Sequence, residues 1–188
     1  MSTISRFSQL GTAFAKVVLP SLIWTISAGY PEALPWSDLA LRSWNALRKT
    51  YQLHTVSTCI EEATRTNKKG NQLVAKSLDQ FRAELTIVAV KPRMQAEVTL
   101  RVGERTDLDP GERDLLAYAL TLPGRAWWLC GPDNGTVNAL QILRLLDRMV
   151  TLESLMRAVG MPVDALQYHF TEKWLADRRL RFALDDPA

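Results

Sequence analysis

Two histidines, His54 and His169, and two well-separated cysteines, Cys59 and Cys130, leave this 188-residue chain little material for a His-based triad, an HExxH site or a zinc knuckle. Any chemistry therefore falls to carboxylates. Four of them are placed where a site could form. Glu62 follows a short segment, Tyr51 to Val56, that reads as extended; Glu112 and Asp114 lie in the first turn of a helix opened by Asp109-Pro110; Asp133 comes directly after Trp127 to Cys130. In an open parallel α/β sheet, ligands gather at the carboxyl ends of the strands, so acids just past strand ends can meet there from distant positions. Each acid also has an ordinary structural role open to it. Glu112 suits the N3 partner of Asp109 in a capping box. Asp114 suits the first turn of a helix through its dipole. Asp133 suits an N-cap. Glu62 suits a solvated helix face, with Glu61 pairing with Thr58 as a cap.

The elements that must carry these acids follow from the hydrophobic pattern. Lys16 to Leu19, Leu85 to Val90, Trp127 to Cys130 and Arg148 to Val150 read as short buried strands. Between them lie amphipathic stretches. Leu39, Ala40, Trp44 and Leu47 fall at helical spacing, and Thr58 with Glu61 is a capping pattern that opens a helix to about Asn67. Leu73 to Phe81 reads as a third helix, and Pro92 opens one carrying Met94, Val98 and Leu100. Asp109-Pro110-Gly111-Glu112 begins the best-signalled helix, ended by Pro123-Gly124. Thr136 to Leu146 reads as another helix, apolar through Ala139, Leu140, Ile142, Leu143 and Leu146. Thr151 caps one that Gly160 ends, and Pro162 is expected to start the last. Strands alternating with helices imply a three-layer α/β/α sandwich around a mostly parallel sheet. Residues 1–160 read as that domain, and 161–188 as an appended C-terminal helix and tail.

Composition narrows the function classes. Hydrophobic residues make up 47% of the chain and charged residues 23%, and nine Gly with nine Pro exclude collagen-like and low-complexity classes. A net charge of +3 permits contact with nucleic acid without demanding it. Lys68-Lys69, Arg101 with Arg105, and Arg178-Arg179 with Arg181 are the basic groups available to a phosphate backbone, although such groups are more often just a solvated helix face. No GxGxxG follows any strand, which sets a Rossmann-type cofactor enzyme well behind other readings. Val17 to Ala28 has the look of a signal sequence, but Pro20 interrupts it and so short a run cannot span a bilayer. A cytoplasmic protein with reduced thiols and no membrane association is expected. Of the six tryptophans, Trp24, Trp44, Trp127 and Trp128 read as core, whereas Trp36 and Trp174 are candidates for a protein-binding surface.

Taken in order, these segments resemble the PIN-domain nucleases, the family that includes the toxin ribonucleases of toxin–antitoxin pairs. Val56 to Arg65, containing Glu62, is similar to the family's second-acid helix. Leu108 to Leu120 is similar to its Gly-Glu helix, Trp128 to Asp133 followed by Val137 to Leu140 to its strand-Asp-helix segment, and Met149 to Leu155 to its closing strand and helix. The likeness covers roughly residues 15 to 160 and rests on order and spacing, not on one motif. It implies Glu62, Glu112 and Asp133 as catalytic metal ligands, Asp114 as an auxiliary one, and water as nucleophile. Clustered carboxylates cannot all stay ionised without a cation, and Mg²⁺ or Mn²⁺ with oxygen ligands would relieve that repulsion and stabilise charge on a phosphate. The implied reaction is metal-dependent hydrolysis of RNA phosphodiesters.

One departure stands beside the match. Family members carry an Asp at the end of the first strand, where this chain reads Leu19-Pro20-Ser21. Glu32 and Asp38 are the nearest acids downstream. Two readings stay open: an RNA-binding PIN-like ribonuclease, or a catalytically degenerate PIN-like fold acting as a protein- or RNA-binding module. The partners implied are RNA, an antitoxin-like protein, or a second copy of the chain as a homodimer.

Overall fold

A computed structural model describes residues 16–18, 38–65, 82–103, 106–123, 127–164 and 166–185. In chain order the elements are β1 (Lys16–Val18), α1 (Asp38–Thr50), β2 (Gln52–Val56), α2 (Ser57–Arg65), β3 (Thr86–Val88), α3 (Pro92–Val102), α4 (Pro110–Thr121), β4 (Trp127–Cys130), α5 (Asn134–Ile142), β5 (Met149–Val150), α6 (Leu152–Ala158) and α7 (Glu172–Asp185). Single 3₁₀ turns occupy Leu146–Arg148 and Tyr168–Phe170. The fold is mixed α/β, with more helix than strand. The strands form one sheet in the order β3-β2-β1-β4-β5, and every pairing is parallel. Val18 pairs with His54 on one side and Leu129 on the other, so β1 is the central strand.

Alternation along the strands sorts side chains between two hydrophobic clusters. Leu53, Trp128, Cys130 and Val150 join Trp44, Leu47, Leu155 and Phe170 in one. Val56, Trp127, Leu129 and Met149 join Val98, Leu115, Leu116, Leu140 and Trp174 in the other. Continuous apolar strands such as Trp127–Cys130, buried at all four positions, are what a parallel sheet covered on both faces requires.

Local chemistry explains where the elements stop, including where they depart from the sequence pattern. Only Thr86–Val88 of the Leu85–Val90 run is strand, at the sheet edge, with Ile87 exposed. Leu100 is 86% exposed: its spacing from Val98 turns it off the buried face. α5 ends at Ile142, short of Leu146, because Arg144 adopts a left-handed φ of 56° and the Leu145 amide donates back to the Leu140 carbonyl. Gly160, with φ 71°, follows α6 in the same way. The last helix begins at Glu172, not Pro162. The Trp174 amide donates to the Thr171 hydroxyl, and the intervening residues fold into the Tyr168–Phe170 turn instead. α7 carries Trp174 and Leu175 into the second cluster, and the Arg179 guanidinium donates to the Leu146 and Met149 carbonyls. The expected Leu73–Phe81 helix, Trp24 and Trp36 lie outside the described residues. Among those described, no helix is long and apolar enough to cross a membrane.

Candidate functional site

Because β2, β1 and β4 run parallel, Val56 and Cys130 end on the same rim of the sheet. α2 leaves β2 without a loop, and three residues carry the chain from β4 to α5. α4 packs against both α2 and β2, so its first turn comes to the α2 side of this rim. Asp109 precedes Pro110 in extended conformation, and its amide donates to Glu112 Oε2 at 3.2 Å, completing the capping box expected from the sequence. Asp133 is an N-cap as well: Oδ1 accepts from the Gly135 amide at 2.6 Å and the Thr136 amide at 3.2 Å. Gly135 must be glycine in this turn, since a Cβ would collide with the Asp107 carbonyl.

The two capping acids face one another. Glu112 and Asp133 share a side-chain hydrogen bond, and the Glu112 carboxyl is pushed up to about 8 from its ordinary 4.5. Burial is the largest cause, and the charge of Asp133 adds to it. The Asp109 amide pulls the other way, while the hydrogen bond to Asp133 and the charge of Asp109 raise it further. At neutral pH Glu112 therefore keeps its proton and donates it to Asp133. Two carboxyl groups held this close can share one proton between them.

The other two predicted acids are placed differently. Glu62 Oε1 accepts the Gly111 amide at 2.9 Å, one residue before Glu112. Asp114 is buried; Oδ1 accepts from Gln95 Nε2 at 2.6 Å and Oδ2 from the Thr58 hydroxyl. Thr58 thus serves Asp114 rather than opening α2, which already begins at Ser57. Of the four acids expected to ligate metal, the structure brings Glu112 and Asp133 together, sets Glu62 against the neighbouring backbone, and fixes Asp114 between α2 and α3. Among the described residues no group of three or more His, Cys, Asp or Glu is placed to hold a metal ion. Ser21 and Glu32 lie outside the described residues; Asp38 is the first residue of α1.

Sequence reasoning gave Thr58 and Gly111 only helix-opening roles and passed over Gln95. The signal for Gln95 was a polar side chain between Met94 and Val98 on a helix otherwise packed by its apolar face. Thr58 and Gln95 also border a cavity of about 410 Å³, lined with them by Thr99, Arg113 and Asp114. Of the basic groups, Arg101 pairs with Glu97 at 2.7 Å, Arg178 lies over the Trp174 ring at 5.7 Å, and Arg179 is spent on backbone carbonyls. Lys68, Lys69 and Arg105 lie outside the described residues. Trp174, read as a docking residue, is 4% exposed and belongs to the core. His54 is a core histidine whose Nδ1 meets the Tyr118 hydroxyl at 2.8 Å. No protein-family model matches the chain, and no curated protein is significantly similar to it.

Proposed function

We propose that this chain is a PIN-like α/β/α domain that acts on RNA, with Glu112 and Asp133 as the acids that hold a divalent cation for phosphodiester hydrolysis. The observation carrying this reading is the carboxyl pair itself, assembled from α4 and the β4–α5 turn at the end of a parallel sheet. A hydrogen-bonded pair of oxygen donors that keeps a proton at neutral pH fits a hard cation by donor type and by charge. When bound, Mg²⁺ or Mn²⁺ supplies Lewis acidity toward a phosphate oxygen and activation of water. The chain's own contribution is to fix the two carboxyls through backbone amides, Asp109 for Glu112 and Gly135 with Thr136 for Asp133. The strand order and the two helix-fed clusters support the PIN-like reading of the fold.

A second reading has its own observation. Leu19-Pro20-Ser21 supplies no carboxylate after the central strand, and Glu62 and Asp114 are engaged by Gly111, Gln95 and Thr58. A fold in which two acids face one another among the described residues, without a third, is a degenerate PIN-like module that binds RNA or a protein partner without cleaving. Calorimetric titration with Mn²⁺ and cleavage of single-stranded RNA, each on the wild type, Glu112→Gln and Asp133→Asn, separate the two. The nuclease reading expects Mn²⁺ binding and cleavage, both lost in either variant. No heat at millimolar Mn²⁺ and intact RNA would overturn it in favour of the module.

A further inference from the structure

The contact between α2 and α4 assigns Glu62 a role different from that of Glu112, although both acids lie near the same rim. We infer that Glu62 is a positioning residue: it holds the first turn of α4 by accepting the Gly111 amide, and so sets where Glu112 meets Asp133.

Gly111 is the second residue of α4, so its amide is among those that no helical carbonyl can reach. Glu62 Oε1 takes that amide at 2.9 Å. The fit leaves no spare room. Gly111 is buried, and a Cβ there would collide with Glu62 Oε2 and lie 2.9 Å from Cys59 Sγ. One helical turn earlier on α2, the Thr58 hydroxyl donates to Asp114, three residues beyond Gly111 on α4. Two polar contacts at i, i+4 on one helix therefore grip positions i, i+3 on the other, and neighbouring residues at these spacings share a face. Glu112 lies between the gripped positions. Its capping bond to Asp109 fixes the side chain only relative to its own turn, whereas the α2 grip fixes that turn relative to the sheet. What the contact requires of Glu62 is an acceptor oxygen, not a negative charge.

That requirement makes the role testable, and the Mn²⁺ arm rests on the proposed cation site. Glutamine keeps the acceptor oxygen and loses the charge; alanine loses both. In calorimetric titration with Mn²⁺, Glu62→Gln is expected to bind within about threefold of wild type, Glu62→Ala at least tenfold more weakly, and Glu112→Gln not measurably. If Glu62→Gln loses binding as completely as Glu112→Gln, Glu62 is a ligand by charge and the inference is overturned while the cation site stands. Amide exchange of Gly111 by NMR, on the metal-free protein, gives an answer independent of any cation. Exchange should be slow in wild type and Glu62→Gln, and at least tenfold faster in Glu62→Ala. Equal exchange in wild type and Glu62→Ala overturns the inference whatever Mn²⁺ does. Wild type that binds no Mn²⁺ removes the proposed function, and the exchange result then decides the role of Glu62 alone.

Discussion

Asp114 and Glu112 stand two residues apart on one helical turn, yet their surroundings treat them in opposite ways. On the α2–α3 side, Asp114 receives a hydroxyl from Thr58 and an amide from Gln95, one donor for each oxygen. On the β4 side, Glu112 receives one backbone amide and then faces another acid. Burial alone does not separate them, since Asp114 is the more buried of the two. The number of donors does. A carboxylate whose oxygens are matched by donors is a structural tie, whereas one left facing a second carboxyl must hold a proton or a cation.

The comparison can be broken most severely at Asp114. Replacing it with Ala leaves the Gln95 amide and Thr58 hydroxyl without their acceptor, and the expected loss is about 3 kcal/mol. A melting experiment should record this as a fall of roughly 6–12 °C. Unchanged melting would show that Asp114 is no tie. Next in size is the pH dependence that the proposed cation site would impose on Mn²⁺ binding. Because the Glu112 proton must leave, affinity should rise roughly tenfold per pH unit up to about pH 8 and then level off. Calorimetry in two buffers of different ionisation enthalpy should detect the released proton, and a flat profile would contradict a shared-proton pair.

Glu112→Gln sharpens the same contrast through stability. A carboxyl whose folded pKa, about 8, exceeds its ordinary 4.5 favours the folded state most at low pH. That contribution is whole below about pH 4.5 and is lost as the pH rises through about 8. Urea unfolding at pH 5.5 and pH 9 should show the variant gaining on wild type by on the order of 1–2 kcal/mol, discounted because Glu112 keeps some solvent contact. No relative gain would mean that Glu112 is ionised in the folded protein. The smallest effect belongs to a control on the exposed face of α3. Arg101→Ala should cost no more than about 0.5 kcal/mol, since its pair with Glu97 is exposed on both sides.

Much of this arrangement was legible in the chain. Caps are local chemistry, so Asp109 with Glu112, Asp133 and Thr151 could be read directly, and the all-apolar Trp127–Cys130 run announced a buried strand. The meeting of Glu112 with Asp133 followed from parallel strands ending on one rim. Legibility failed where long-range contacts decided. Thr58 carried a capping pattern but was claimed by Asp114, fifty-six residues away in sequence. Pro162 looked like a helix start, and the competing Thr171 cap, with Trp174 and Leu175 packing behind it, won. Glu62 could be placed on its helix, but nothing in its neighbours revealed that the amide of Gly111 would take its oxygen.

The two cysteines give the molecule an internal clock. Cys130 sits in the cluster on one face of the sheet and Cys59 in the cluster on the other, both nearly inaccessible. Burial pushes the Cys130 thiol up to about 12, so in the closed protein it has almost no thiolate with which to attack an alkylating reagent. Modification of each sulfur must then wait for its own face to breathe. The two labelling rates separate the loosening of one side of the sheet from that of the other, without any residue having to be introduced for the purpose.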